Sequence, residues 1–399
     1  MAELELILFD DDVARHWYPF TRTRPAGELL LGTMTLRERL EAVCGAVCAG
    51  YITGDLLRGF DEPGAPCVLD ASAAPTDRPR LLLSSRCILH FDVELDVSNE
   101  ATYRVGDKIA GWLLPEGAPL PNEAELLRPH TVRGEEISMG GKLLDQVFDL
   151  IHHNTDHIAS DILHRHPSSK PSQVPDHAHV IGDYPVVCGE NVTVEPGVVF
   201  DVSEGPVWLD DGVKVRAFTR VAGPMYVGKE TTLLGGTFTG SSIGPMCKVR
   251  GEVEESIFLG YSNKAHDGFL GHAIVGKWVN LGAMTTNSDL KNNYSSIRIY
   301  TPRGEIDTGL MKLGSLIGDH VKTAIGTLLT TGAVIGPGAN LLGGLVPKHV
   351  PSFSWGGGTY QVDKFLETTE RAMRRRDVEL SKSQREMLSR VWYARHLKG

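Results

Sequence analysis

The stretch LDDGVKVRAFTRVAGPMYVGKETTLLGGT, residues 209–237, decides the fold, because an aliphatic side chain returns at every sixth position: Leu209, Val215, Val221, Val227 and Leu233. Four positions after each stand Val213, Thr219, Met225, Thr231 and Thr237, mostly small or β-branched. The beat returns as Ile317, Thr323, Leu329, Ile335 and Leu341, with Val321, Thr327, Ala333 and Ala339 between them. Glycine follows the aliphatic at Gly228, Gly244, Gly276, Gly282, Gly318 and Gly336, where the chain turns a corner. This is the hexapeptide repeat of a parallel β-helix, in which each face sends one aliphatic into a narrow triangular core. Its coils stack like neighbouring strands, roughly 4.8 Å apart, so every backbone group is paired except at the ends.

Working outward, GYSNKAHDGFLGHAIVGKWVNLGAMTTNSDLKNNY (260–294) sets Lys264, His266, Asn280, Asn287, Asn292 and Asn293 among glycines and short apolar pairs. The glycines interrupt helical spacing, and the polar residues are too dense for a two-faced core strand. Short strands with corners between them, and the polar residues along one outer edge, account for the pattern. The beat breaks between Met284 and Leu313, and a loop this long inside a regular solenoid is more often functional than decorative.

Across the 399 residues, 41% are hydrophobic, enough for two or three domains with real cores. A net charge of −10 argues against a basic face for nucleic acid. No apolar run approaches membrane-spanning length, and the acidic start MAELELILFDDD is unlike a secretory signal. Six scattered cysteines read as buried free thiols of a cytoplasmic protein; Cys44 and Cys48, four apart in a helical pattern, are not expected to pair.

Before the solenoid, ELILFD (5–10) reads as a buried strand ended by Asp10, Asp11 and Asp12. A basic loop (15–25) and a helix follow, with Thr35 and Glu38 spaced as a capping box. Strand, basic loop and helix is a common way to build a phosphate site, although no glycine-rich phosphate loop is present. Residues 51–130 alternate apolar runs with turns, suggesting a small α/β domain with a mainly parallel sheet. Residues 139–166 have amphipathic spacing and are expected to form one long helix, its five histidines on solvated faces. PSSKPSQVPD is a linker by composition. The carboxyl-terminal tail reads as charged helix, with Arg374 to Arg376 as a solvated face or subunit contact.

The stretches IGPMCKVRGEV…GYSNKAHDGFLGHAIVGKWVNLGAMTTNS and FDDDVARHWYPFTRTRPAGELLLGTMTLRERL resemble a divergent branch of a known bacterial enzyme family. Its members acetylate glucosamine-1-phosphate and uridylylate the product to UDP-N-acetylglucosamine, a cell-envelope precursor. The resemblance implies a nucleotidyltransferase-like α/β domain (1–166), a linker (167–177), a left-handed β-helix acyltransferase domain (178–355) and a helical tail (356–399). It implies His266 as catalytic base, with Arg250, Lys264, Asn280, Asn293 and Tyr294 around the sugar phosphate and Ala283 against acetyl-CoA. Arg15, Thr21 and Arg24 would hold the nucleoside triphosphate, taken as UTP, and Asp10 and Asp11 would hold Mg2+, with Asp12 and Asp92 as alternatives. Acidic Glu252, Glu254 and Glu255 stand where the better-known enzyme has lysines. Asp10 to Asp12 replace the usual glycine-rich run, and Arg24-Pro25-Ala26 replaces Pro-Lys. A homotrimer is expected, joined through the β-helices, the insertion and the tail, with no nucleic-acid or membrane partner. The alternative is a β-helix acetyltransferase whose front domain only binds a nucleotide sugar and regulates or scaffolds.

Overall fold

The computed structural model describes residues 4–70, 77–95, 99–167 and 174–396. The front domain is built on a six-stranded sheet in the order Cys48–Ile52, Glu5–Phe9, Arg80–Ser84, Lys108–Leu114, Ala101–Val105, Glu135–Ser138. The first three strands are parallel, but Lys108–Leu114 runs antiparallel to both its neighbours. Ala101–Val105 and Glu135–Ser138 again run parallel, so the sheet is mainly parallel as expected, with Lys108–Leu114 as the strand that opposes the other five. A tight turn at Gly106 (φ 62°) joins Ala101–Val105 to Lys108–Leu114, which forces the antiparallel pair. Helix α1 (Leu36–Cys44) carries the expected capping box between Thr35 and Glu38. It ends at Gly45, in the left-handed region at φ 61°, so Cys48 lies on the next strand and not on the helix. None of the six cysteines, all of which lie among the described residues, is in a disulfide.

The long helix expected over 139–166 is shorter. Glu123–Leu127 forms helix α2, and helix α3 spans only Asp149–Arg165. Gly141–Leu143 is instead a strand paired with Cys87–Leu89. A Cβ on Gly141 would come within 2.3 Å of the Ile88 carbonyl oxygen, so the close approach requires glycine. The linker expected at 167–177 lies mostly outside the described residues.

From His179 the chain winds into a left-handed parallel β-helix. One face stacks nine parallel strands, from Val186–Cys188 through Ile257–Phe258 and Ile274–Val275 to His349–Val350. Leu209, Val215, Val221, Val227 and Leu233 are fully buried in its core, as are Ile317 and Ile335. The beat slips once. The strand Thr232–Thr239 carries an irregularity between Leu233 and Gly236, which turns Thr237 to solvent and puts Phe238 in the core. Gly228, Gly244, Gly276 and Gly318 sit where successive coils stack too closely for a Cβ; on Gly318 it would meet the Pro337 nitrogen at 2.7 Å.

The paired apolars Ile257-Phe258, Ile274-Val275, Leu316-Ile317 and Val334-Ile335 explain how the domains meet. In each pair the second residue fills the solenoid core, and the first is buried outside it, in a cluster with Trp17, Tyr18, Leu30, Phe148 and Ile151 of the front domain. Each such aliphatic is worth about 1.5–3 kcal/mol when fully buried. The insertion folds back into the same cluster. Its hairpin, Arg298–Thr301 with Gly304–Asp307, buries Ile297 and Ile299 there, so these apolar residues are spent within the chain. Helices α4 (Val362–Arg374) and α5 (Lys382–Tyr393) likewise pack against Leu57, Phe60, Trp278 and Phe353 of their own chain.

A buried charge network staples the two domains. Arg24 donates to Glu62 Oε2 (2.8 Å) and to Asp319 Oδ2 (2.7 Å), and Lys277 Nζ donates to Glu62 Oε2 (2.6 Å). Thr23 donates to Asp319 Oδ2 at 2.6 Å. Two of the charged groups come from the front domain and two from the solenoid, and the cations hold the Glu62 carboxyl down at about 2 against the opposing effect of burial. Replacing Arg24 by methionine leaves two buried carboxylates short of a partner, which costs about 3–5 kcal/mol. Urea unfolding should show that loss for Arg24→Met, and almost none for Arg58→Met, whose pairing with Asp55 is exposed. Equal midpoints for the two variants would contradict the staple.

Candidate functional site

The residues around His266 come from consecutive coils. Lys264 lies on the strand Asn263–Lys264, paired to Lys248–Glu254 at Lys248↔Asn263 and Val249↔Lys264. The aliphatic stem of Lys264 is buried, and its Nζ donates to the backbone oxygens of Arg250 (2.9 Å) and His266 (3.0 Å). Burial lowers the Lys264 ammonium to about 8. Lys264 thus pins the corner that carries His266. The His266 side chain is exposed and makes no hydrogen bond among the described residues. Asp267, next to it, accepts from Arg250 Nε at 3.0 Å, and Arg250 Nη1 donates to the Leu234 oxygen at 2.7 Å. Gly268 closes the corner at φ 132°; a Cβ there would lie 2.3 Å from the Thr285 oxygen.

Asn280 is exposed on the coil above, bridged to Asn263 on one side and Lys322 on the other. Ala283 is half-buried at the next corner, its oxygen accepting from the Gly326 N–H at 2.8 Å. Met284, Ile325 and Leu342, on successive coils at that corner, are exposed apolars. Arg250, Lys264, His266, Asn280 and Ala283 therefore share neighbouring coils of one solenoid. Asn293 and Tyr294 are not brought into this group. Asn293 lies in the insertion, lining a different groove with Lys291 and Leu345, and Tyr294 beside it is exposed.

The front-domain candidates are placed differently. Asp10 is buried at the end of its strand and accepts from Thr53 (2.7 Å) and the Ala26 N–H (3.3 Å). Burial raises its carboxyl to about 6. Asp11 is buried against Arg86 Nε at 2.7 Å and accepts from the Ala14 N–H at 2.9 Å. Asp12 and Asp92 are more open, Asp92 in the turn after Cys87–Leu89. No cluster of three His, Cys, Asp or Glu suited to a metal occurs among the described residues. The carboxylates expected for Mg2+ point into the protein and are already satisfied, so this arrangement does not fit the ion. Arg15 is paired with Glu123 at 3.2 Å, and Thr21 is buried with its hydroxyl on the Arg15 oxygen. Arg24, expected on a triphosphate, is spent on the interdomain staple.

The pattern reading missed other groups near the site. Lys248, Asn263, Asn280, Lys322 and Asn340 hold the same outward position on successive coils, each between two inward residues, so the six-residue frame contained the signal. Arg376, assigned to a solvated face, donates to Asn263 Oδ1 at 2.7 Å. The histidines of α3 are also not simply solvated. His164 stacks on Phe91 at 4.1 Å, and burial drives the His157 imidazole down to about 3.

Comparison with known proteins agrees with this two-part architecture. Residues 6–166 match the family model described as sugar nucleotidyl transferase. A bifunctional sugar-1-phosphate nucleotidylyltransferase/acetyltransferase of Sulfurisphaera tokodaii is 32% identical over 95 residues, 24% of each chain. The bifunctional protein GlmU of Nitrosospira multiformis is 33% identical over 133 residues, 28% of each chain. That of Methanococcus vannielii is 30% identical over 149 residues, 36% of this chain and 32% of the relative. The chain is thus similar, over part of its length, to bifunctional sugar-1-phosphate transferases, and its front domain is similar to the sugar nucleotidyl transferase family. Its matches span about a quarter to a third of the length of those relatives.

His272 lies one side further along the same coil as His266, between two carboxylates that favour its charged form. Its Nδ1 bonds Asp289 at 2.8 Å and its Nε2 bonds Glu255 at 3.2 Å, and these carboxylates raise it to about 9 against burial. A raised histidine contributes its stability fully below the unfolded value of about 6.5 and loses it as pH rises towards 9. Asp289 and Glu255 are lowered, so their share is lost on acidification below the ordinary carboxylate range. The stability difference between wild type and His272→Gln should peak near about pH 6 and shrink by pH 9 in denaturant titrations. A difference that grows with pH would contradict the assignment.

Proposed function

We propose that the solenoid transfers the acetyl group of acetyl-CoA to the amine of an amino-sugar 1-phosphate, with His266 as general base. The observation that carries this reading is the corner at 264–268, where a buried lysine holds an exposed, unpartnered histidine beside Arg250, Asp267 and Asn280. An amino sugar arrives mostly as an ammonium, which cannot attack a thioester until a proton leaves, and a neutral imidazole is suited to take it. Arg250 keeps its Nη2 for the substrate phosphate, and Asn280 meets the sugar. A backbone N–H at a coil corner stabilises the oxyanion formed on the thioester carbonyl. The exposed run Met284, Ile325 and Leu342 beside Ala283 suits the apolar part of the carrier.

The named relatives are bifunctional, which supports nucleotidyl transfer to a sugar 1-phosphate as the companion activity, with UTP as donor and a UDP-N-acetylglucosamine-type product. A specific observation favours a second reading for the front domain. Asp10, Asp11 and Arg24 are buried and already bonded, which suits a domain that binds or scaffolds rather than turns over a triphosphate. Pyrophosphate release from UTP and a sugar 1-phosphate separates the two. A homotrimer with sites shared between neighbours, and a cytoplasmic location where acetyl-CoA is available, complete the proposal. No described helix is long and apolar enough to cross a membrane.

Loss of a positioned base typically costs about 10²–10⁴-fold in rate. His266→Ala should lose kcat on that scale while keeping its affinity for acetyl-CoA, and Arg250→Ala should mainly raise KM for the sugar phosphate. Near wild-type kcat in His266→Ala at neutral pH would rule the mechanism out.

A further inference from the structure

Lys248 and Lys322 stand at the two ends of the outward row Lys248–Asn263–Asn280–Lys322, and the end of α4 closes over that row. Between them lies a cavity of about 530 Å³, to which the tail contributes Ala372, Arg375 and Arg376. Its apolar wall is the stacked pair Tyr261 and Trp278, with ring centres 4.4 Å apart. Among the described residues, four cations line this space and no carboxylate does. Arg374, one residue away, already pairs with Glu370 at 2.7 Å, whereas Lys248, Lys322 and Arg375 make no ion pair among the described residues. Among the described residues Lys322 Nζ donates only to the His320 oxygen, at 3.2 Å, and burial lowers it to about 8. Like charges gathered in a concave, partly desolvated space repel one another unless an anion completes them. The volume is that of a small-molecule site.

We propose that this pocket binds a phosphate monoester, with the dianion among Lys248, Lys322, Arg375 and Arg376 and the rest of the ligand against the Tyr261–Trp278 stack. The inference rests on the acetyl-transfer reading in one respect: Ala265, which lines the pocket, immediately precedes His266, so a ligand held here reaches the same edge of the solenoid. Lys264 cannot serve as the main phosphate ligand, since its Nζ is bonded to two backbone oxygens. The tail of the same chain supplies the missing cations. Both substrates of the proposed reaction carry a monoester, the amino-sugar 1-phosphate and the 3′-phosphate of coenzyme A.

Calorimetry on the full chain distinguishes them. Glucosamine-1-phosphate is compared with glucosamine, and coenzyme A with dephospho-coenzyme A, for wild type, Lys248→Gln/Arg375→Gln and Arg375→Lys. Lys248 and Arg375 are exposed, so the double variant should fold, which its thermal midpoint checks. The double variant should bind the phosphorylated member of one pair at least about tenfold more weakly, a loss of about 1.4 kcal/mol, with Arg375→Lys retaining most of the affinity. The pair that shows the loss names the source of the phosphate. Wild-type protein that prefers neither phosphorylated compound, or a double variant that binds both like wild type, overturns the proposal. Binding needs no turnover, so a phosphate-dependent loss without any acetylation leaves the pocket standing and removes only the reaction assigned to His266.

Discussion

The buried quartet Arg24, Glu62, Lys277 and Asp319 constrains everything around it. Asp319 also accepts from the Lys277 N–H at 2.8 Å, and so orients both its own corner and the neighbouring coil. Charges this deep are tolerated only when each finds its partner, so the loop after the first strand must reach the solenoid in one conformation. The cost falls on the loop's other uses. With Arg24 committed, Pro25 and Ala26 are fixed, and the Ala26 N–H closes onto Asp10. Arg24 and Asp10, expected beside a triphosphate and its metal ion, face the protein.

Apolar contact then divides the three faces of the prism. One is covered by the front domain through Ile257, Ile274, Leu316 and Val334. Helix α3 seals the neighbouring edge, with Ile158 and Ile162 against Val187, Trp208 and Tyr226. Its Asp161 meets Arg39 at 2.6 Å and the Thr33 N–H at 2.9 Å. Gly32 makes that approach possible, since at φ 65° a Cβ would lie 2.3 Å from Asp161 Oδ2. The tail helices cover part of a second face and leave the basic cavity beneath them. What stays open is the corner edge with His266 and Met284, next to the basic cavity.

The solenoid was legible because its period is strict: one inward aliphatic in six leaves little else for Leu209 to Leu233 to form. His266 and Lys264 stood out because polar groups are rare among packed corners. What stayed hidden depends on contacts far apart in the chain. Nothing local marks Arg24 as a partner of Asp319, 295 residues away, rather than of a phosphate. The doubled apolars Ile274-Val275 and Leu316-Ile317 announce a covered outer face, yet not what covers it. Residues 139–148 kept helical spacing while the close approach at Gly141 held residues 141–143 in a strand. Arg376 looked like one of three surface arginines because its partner, Asn263, lies on a coil 113 residues earlier.

Mass spectrometry of the products made by the wild-type chain tests the central claim most directly. Amino-sugar 1-phosphates would be offered with acetyl-CoA alone, and their acetylated forms with UTP and Mg2+. Acetylation of at least one amino-sugar 1-phosphate, in the absence of any nucleotide, is the expected result. A chain that acetylates none of them under conditions where it is folded would contradict the assignment of the His266 edge as an acetyl-transfer site.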